Sequence, residues 1–251
     1  MRFVLGGAFF SRIKNIARHI WKESISGVEY VDYLRKQGIR IGENVNFRYP
    51  AHTVIDITRP CLIEIGNDID INDNFTILTH DFATFVFRGY FKDFVNSSGK
   101  VKIGNNVVLG RNVTILKGVT VGDNCVIGAG SILSKSIPPN SVAVGVPARV
   151  VCTLEEYYKK RKTLQRKEAL EYGKELALIR GGVDQLKISD FTEEWVLFLS
   201  EEDYNLNSDI RKLVNTRLRN KIDIHEFLRR DRPYTNFASF LDDICKEENV
   251  E

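Results

Sequence analysis

Residues 101–137 read VKIGNNVVLGRNVTILKGVTVGDNCVIGAGSILSKSI. Ile103, Leu109, Ile115, Val121, Ile127 and Leu133 are all aliphatic, and each stands six positions after the last. Gly104, Gly110, Gly122 and Gly128 follow directly after aliphatic positions of this series. Four residues after each aliphatic stand Val107, Val113, Val119, Cys125, Ser131 and Ile137. A period of six is neither helical nor that of a plain strand. Self-similarity at a fixed period signals a repeat architecture, and hexapeptides signal a β-helix. Three hexapeptides make one triangular turn, which stacks Val121 on Ile103, Ile127 on Leu109 and Leu133 on Ile115. Successive turns then lie about 4.8 Å apart, the usual inter-strand spacing. Gly and Asn are expected to supply the corner conformations that side chains otherwise forbid.

Working outward, the repeat begins at Ile41-Gly42-Glu43-Asn44. Its phase breaks between Phe47 and Leu62, where Pro50 and Pro60 occur, and returns at Ile65-Gly66, Ile71 and Ile77. A bulged or irregular turn is expected there, of the kind found where a surface is shaped for something else. Ile77 and Ile103 are 26 residues apart, not a multiple of six, so residues 81–100 leave the prism as a loop. This loop carries Phe82, Phe85, Phe87, Phe91, Phe94 and Tyr90. That many aromatics must cover something: a sister subunit, a ligand, or a satellite cluster of the chain's own.

Three segments follow from this reading. Residues 1–38 are expected to be helical, 39–152 form the β-helix, and 153–251 form a C-terminal α-helical extension. In the first, Phe9, Ile13, Ile16, Ala17 and Ile20 fall at helical spacing, with Arg12, Lys14, Arg18 and Lys22 between them. Such a stripe packs on the protein's own body or a sister subunit, the alternative being a peripheral membrane contact. A second helix, Gly27–Gln37, is expected to stop at Gly38. After the prolines of IPPNSVAVGVPARVV, residues 154–182 are a charged run of helix formers ending at Gly181-Gly182. Further helical patterns start near Asp190, span Asp209–Asn220 and lie near Phe237–Lys246.

The composition fits this plan. A chain of 251 residues with 43% hydrophobic and 27% charged residues is an ordinary globular protein. A net charge of +3 gives no argument for nucleic acid. Cys61, Cys125, Cys152 and Cys245 are scattered without CxxC spacing, so neither a zinc site nor a disulfide framework is indicated. Cys125 reads as a buried reduced thiol. No apolar run approaches the roughly 20 residues that span a bilayer, and the N-terminus is not a clean signal peptide. A reducing cytoplasm fits best.

His19, His52, His80 and His225 are the only histidines. His80 stands in ILTHDF, where the repeat ends and the aromatic loop leaves. An imidazole there can serve as a general base near neutral pH, or only cap the turn; position alone leaves both open. A metal centre on the prism would need three converging histidines. His19 and His225 lie outside the repeat, so no metal site is expected.

The block VIGAGSIL…SIPPNSVAVGVPARV, with the repeats before it, resembles the hexapeptide-repeat acyltransferases with a left-handed parallel β-helix. Within them it is most similar to sugar O-acetyltransferases of the maltose and galactoside type and their relatives in polysaccharide biosynthesis. The likeness covers residues 41–151 and leaves the C-terminal segment uncovered. It implies a homotrimer with active sites between adjacent prisms, acetyl-CoA as co-substrate, and a sugar or glycan acceptor. It also implies that His80 is the base that takes the proton of the acceptor hydroxyl, with no acyl-enzyme. A loop carboxylate that orients the histidine is implied too, with Asp93 and Asp81 as candidates. Asn74 and Asp56 are candidates for contact with the acceptor. For coenzyme A the resemblance points to Gly110, Arg111, Ala129, Ser134, Lys135 and Arg149, the last near the phosphates. Val108 stands where sugar acetyltransferases often carry Trp, so the acceptor need not be the same sugar. An N-acyltransferase acting on an amino-sugar nucleotide and a non-catalytic assembly scaffold are the alternative readings.

Overall fold

The computed structural model describes residues 24–219 and 221–248. The amphipathic stripe Phe9–Ile20, with its membrane alternative, lies outside the described residues. Two compact units divide in sequence between Tyr157 and Tyr158.

The first unit is mainly β. Its strands are β1 (Arg40–Ile41), β2 (Val45–Phe47), β3 (Val54–Ile55), β4 (Ile63–Ile65), β5 (Ile69–Ile71), β6 (Thr76–Ile77), β7 (Val101–Ile103), β8 (Val107–Leu109), β9 (Thr114–Ile115), β10 (Thr120–Val121), β11 (Cys125–Ile127), β12 (Ile132–Leu133), β13 (Ser141–Gly145) and β14 (Ala148–Thr153). Three sheets result, in the orders β1-β4-β7-β10, β2-β5-β8-β11-β13-β14 and β3-β6-β9-β12. Each strand from β1 to β9 pairs in parallel with the strand three places on, and β11 pairs in parallel with β13. The sheets are therefore the faces of a prism. Val121 registers on Ile103, Ile127 on Leu109 and Leu133 on Ile115. These side chains are essentially inaccessible to water. Burying one such aliphatic contributes about 1.5–3 kcal/mol. The final pair β13–β14 turns antiparallel and ends the coil.

Corner chemistry is divided between two residue types. Asn44, Asp68, Asn106, Asn124 and Asn140 hold the left-handed backbone, which short polar side chains tolerate. Gly66 and Gly104 are required for a different reason. A Cβ on Gly66 would sit 2.7 Å from the carbonyl carbon of Gly104, because successive coils touch there. Gly118 at φ +80° and Gly130 at φ +73° join the asparagines in the left-handed corners, so both residue types supply corner dihedrals and glycine also permits close approach.

Helix α1 (Gly27–Lys36) opens with a Ser26–Glu29 capping box and ends at Gln37, followed by Gly38 at φ +96°. It buries Tyr30, Val31 and Leu34 in the same core as the first coils. The Tyr30 ring meets Phe47 edge-on at 5.1 Å. The broken phase contains two 3₁₀ turns, Pro50–His52 and Pro60–Leu62. The long loop leaves after β6 and includes helix α2 (Thr84–Tyr90).

The second unit has its own core, built around Phe191, Trp195, Phe198 and Phe240. Its helices are α3 (Leu154–Arg180), which begins before the division, α4 (Glu201–Leu206), α5 (Ser208–Leu218), α6 (Ile224–Leu228) and α7 (Phe237–Glu248). Phe191 meets Phe198 and Phe240 edge-on at 5.6 and 5.3 Å. The helical pattern expected from Asp190 forms 3₁₀ turns instead, Ile188–Asp190 and Glu194–Leu197. Its large side chains all point into one core, which short turns accomplish without a continuous helix. No helix among the described residues is long and apolar enough to cross a membrane.

Candidate active site

The turns joining the third sheet to the first stack along one edge of the prism. In the first coil this turn is residues 56–62, and in the second it begins at Leu78 and widens into the long loop. Parallel pairing of β3 with β6 therefore sets Asp56 beside Thr79 and His80, one coil on. Asp56 Oδ2 lies 2.6 Å from Nδ1 of His80. The same carboxylate accepts from the Thr58 amide at 3.1 Å, the Thr58 hydroxyl at 2.5 Å and the Thr79 amide at 3.2 Å. The Thr79 hydroxyl donates to it as well.

The Asp56 side chain is 5% exposed and that of His80 is 20% exposed. Burial disfavours the Asp56 anion, but the hydrogen bonds from Thr58, Thr79 and His80 outweigh it and hold the carboxyl well below the usual range. An ionised Asp56 can only accept, so Nδ1 of His80 carries the proton and Nε2 is left as a basic lone pair. The Phe82 ring lies 5.4 Å from the imidazole.

The loop is fastened beside this pair. Asp81 and Ser97, near its two ends, both bind Lys117 from the next coil, and the Ser97 hydroxyl donates to Asp81 at 3.0 Å. Lys117 and the neighbouring amide of Ala83 bring the Asp81 carboxyl down to about 2. His80 pairs with Ser98 as an antiparallel bridge. Phe82, Phe85, Tyr90, Phe91 and Phe94 project outward and are exposed.

Asp56, expected at the acceptor, has its oxygens engaged within the chain by the imidazole of His80 and two threonines. Asp93 and Asp81, expected to orient the imidazole, have other partners within the chain. Asp93 accepts from the Phe94 amide at 2.7 Å and lines an apolar pocket of about 400 Å³ with Phe87, Phe91 and Val95. Asp81 belongs to the Lys117 fastening.

The residues expected at coenzyme A fall in separate places. Gly110, Arg111 and Ala129 stack on the edge joining the second sheet to the third; a Cβ on Gly110 would lie 2.6 Å from the Ala129 amide. Arg111 donates to Asp73 at 2.7 Å. Ser134 and Lys135 are exposed on the His80 edge, after β12. Arg149 is exposed on the final hairpin and donates to its neighbour's carbonyl, Ala148 O, at 2.9 Å. Asn74 is an exposed left-handed corner residue at φ 55°. Sequence reasoning missed the Asp56–His80 pair, Thr79, and the Lys117 fastening. The one available signal was Val54-Ile55-Asp56, which repeats the small-strand pattern of Thr76-Ile77.

Comparison with known proteins follows the same lines. Residues 100–135 match the family described as bacterial transferase hexapeptide (six repeats). The chain is 40% identical over 113 residues to galactoside O-acetyltransferase of Escherichia coli, covering 45% of this chain and 53% of that protein. It thus spans about half the length of that relative. It is 33% identical over 133 residues to the putative acetyltransferase YvoF of Bacillus subtilis, covering 53% of this chain and 69% of that one. Among solved structures, galactoside acetyltransferase in complex with coenzyme A is 31% identical, over 59% of this chain and 82% of that chain, with a TM-score of 0.39. The chain belongs to the hexapeptide-repeat acyltransferase family.

Proposed function

We propose that this protein is an acetyl-CoA-dependent O-acetyltransferase acting on a hydroxyl of a sugar or polysaccharide precursor. The observation that carries the reading is the 2.6 Å contact between the buried Asp56 carboxylate and Nδ1 of a partly exposed His80. In this reading Nε2 of His80 takes the proton of the acceptor hydroxyl as its oxygen attacks the thioester carbonyl. The charge on the imidazolium is balanced by Asp56. Collapse of the tetrahedral adduct breaks the carbon–sulfur bond, and the imidazolium returns its proton to the departing thiolate. General base catalysis of this kind contributes about 10²–10⁴-fold. No nucleophilic Ser or Cys is required.

The prism is read as a left-handed coil and the protein as a homotrimer with its sites between neighbours, as the family resemblance implies. Gly110, Arg111 and Ala129 follow one edge and Ser134 and Lys135 another, with Arg149 beyond, and these are the groups assigned to coenzyme A. A guanidinium at Arg149 suits phosphate geometry.

The test is release of free thiol from acetyl-CoA against a panel of saccharides and amino-sugar nucleotides. O-acetylation of a saccharide that is lost in His80→Ala supports the reading. Transfer to amines alone, or transfer unaffected by His80→Ala, overturns it.

A further inference from the structure

The second prism edge carries an arrangement that the proposed transfer does not use. The turn after β2 has six residues, Arg48–Thr53, where the equivalent turns of the next two coils, 72–75 and 110–113, have four. The longer turn is rigidly closed. Pro50 is buried, the His52 amide donates to Tyr49 O at 3.2 Å, and the Thr53 amide donates to Pro50 O at 3.2 Å. The Thr53 hydroxyl donates to Tyr49 O at 3.1 Å.

This turn projects two rings. Tyr49 and His52 lie with their planes 11° apart and centroids 6.2 Å apart. Each has about half of its surface open, 52% for Tyr49 and 51% for the His52 side chain. Charged groups from neighbouring coils hold the His52 ring of this parallel pair and brace the turn. His52 Nδ1 lies 2.6 Å from Asp73, whose other oxygen accepts from Arg111 at 2.7 Å. Arg48 grips Asp70 with Nε at 3.1 Å and a terminal nitrogen at 2.6 Å. Asp73 is nearly buried, whereas the Arg111 side chain is largely open.

We infer that Tyr49 and His52 form a platform for a saccharide ring, flanked by the donors of Arg48 and Arg111. A parallel, stacked pair of half-open rings offers an aromatic face to the apolar face of a pyranose, and arginines already oriented by carboxylates offer hydroxyl contacts without further ordering. His52 and Asp56 are separated by four residues across β3, about 13 Å of extended chain at about 3.3 Å per residue. A ring on the platform is therefore a different ring from the one whose hydroxyl meets His80. The acceptor class is an oligosaccharide, not a single sugar. This inference rests on the proposed transfer to a saccharide.

The test compares wild type, Tyr49→Ala and Tyr49→Phe on mono-, di- and trisaccharides of each accepted sugar. The Tyr49 ring has no hydrogen bond to lose, so melting temperatures should coincide. Wild type should favour the longer acceptors in kcat/KM. Tyr49→Ala should lose about tenfold of that preference, the worth of one aromatic contact, and Tyr49→Phe should keep it. Equal preference in wild type and Tyr49→Ala, or no preference in wild type, overturns the platform while leaving the transfer reading intact. If no saccharide accepts acetyl, the transfer reading fails, and donor-free binding to arrayed oligosaccharides decides the platform. Binding lost in Tyr49→Ala supports it; binding that is absent in wild type or unchanged in the variant overturns it.

Discussion

Asp56 and His80 are 24 residues apart in sequence and 2.6 Å apart in space, on successive coils of one prism edge. The carboxylate is satisfied from every side, by two threonines and the imidazole. It therefore fixes both the position and the tautomer of His80.

Replacing Asp56 by Asn tests that role. An amide can turn its N–H toward Nδ1 and favour the wrong tautomer, so kcat should fall about 10²–10⁴-fold with the fold intact by circular dichroism. Asp56→Ala should also destabilise, by about 1–3 kcal/mol for the buried Thr79 left unpaired. An Asn variant with wild-type kcat would remove Asp56 from the mechanism.

The same carboxylate gives a signed pH dependence. Its folded pKa lies below the unfolded value, so on acidification the unfolded chain takes up the proton first. The stabilisation is complete above the ordinary carboxylate range and is lost as pH falls through that range toward the folded value. Melting temperature followed from pH 7 downward should drop in wild type and drop less steeply in Asp56→Asn. Parallel curves would contradict the assignment.

The prism was legible because its core positions recur strictly from Ile103 to Leu133. The His80 partner was hidden by the break in that period. Coils separated by 18 residues, as Lys102 and Thr120 are, would set Leu62 beside His80, since 80 − 18 = 62. The first coil instead registers Val45 on Ile69, 24 residues on, because two extra residues fall in 48–53 and four in 56–62. Between β3 and β6 only the four residues of 56–62 count, giving a separation of 22 that sets Asp56 opposite Leu78, within side-chain reach of Thr79 and His80. His52 and Asp73 were obscured by the same break, with a separation of 21. The resemblance identified His80 because the histidine and the loop after it are adjacent in sequence. Their polar partners are not adjacent, and only coil register brings them in.

Lys117 should hold the aromatic loop closed. In Lys117→Met, amide hydrogen exchange across residues 81–98 should quicken by at least about tenfold, because Asp81 and Ser97 lose their common partner. Exchange in β7–β12 should not change. Equal loop protection in wild type and variant would show that the fastening is dispensable.

Two glycine substitutions separate close approach from backbone freedom. Gly66→Ala presses a methyl into the next coil at Gly104 and should cost about 1–3 kcal/mol, read as a lower denaturation midpoint. Gly89→Ala in α2 meets no atom within 4 Å and should be neutral or stabilising. A tolerated Gly66→Ala would mean that the coils can separate without loss.

The most direct test of the central claim is the initial rate of thiol release from acetyl-CoA with an accepted saccharide, wild type against His80→Ala, with folding matched by circular dichroism. A loss of about 10²–10⁴-fold in kcat, with KM for acetyl-CoA little changed, is the predicted result. A His80→Ala enzyme that releases thiol at the wild-type rate would contradict it.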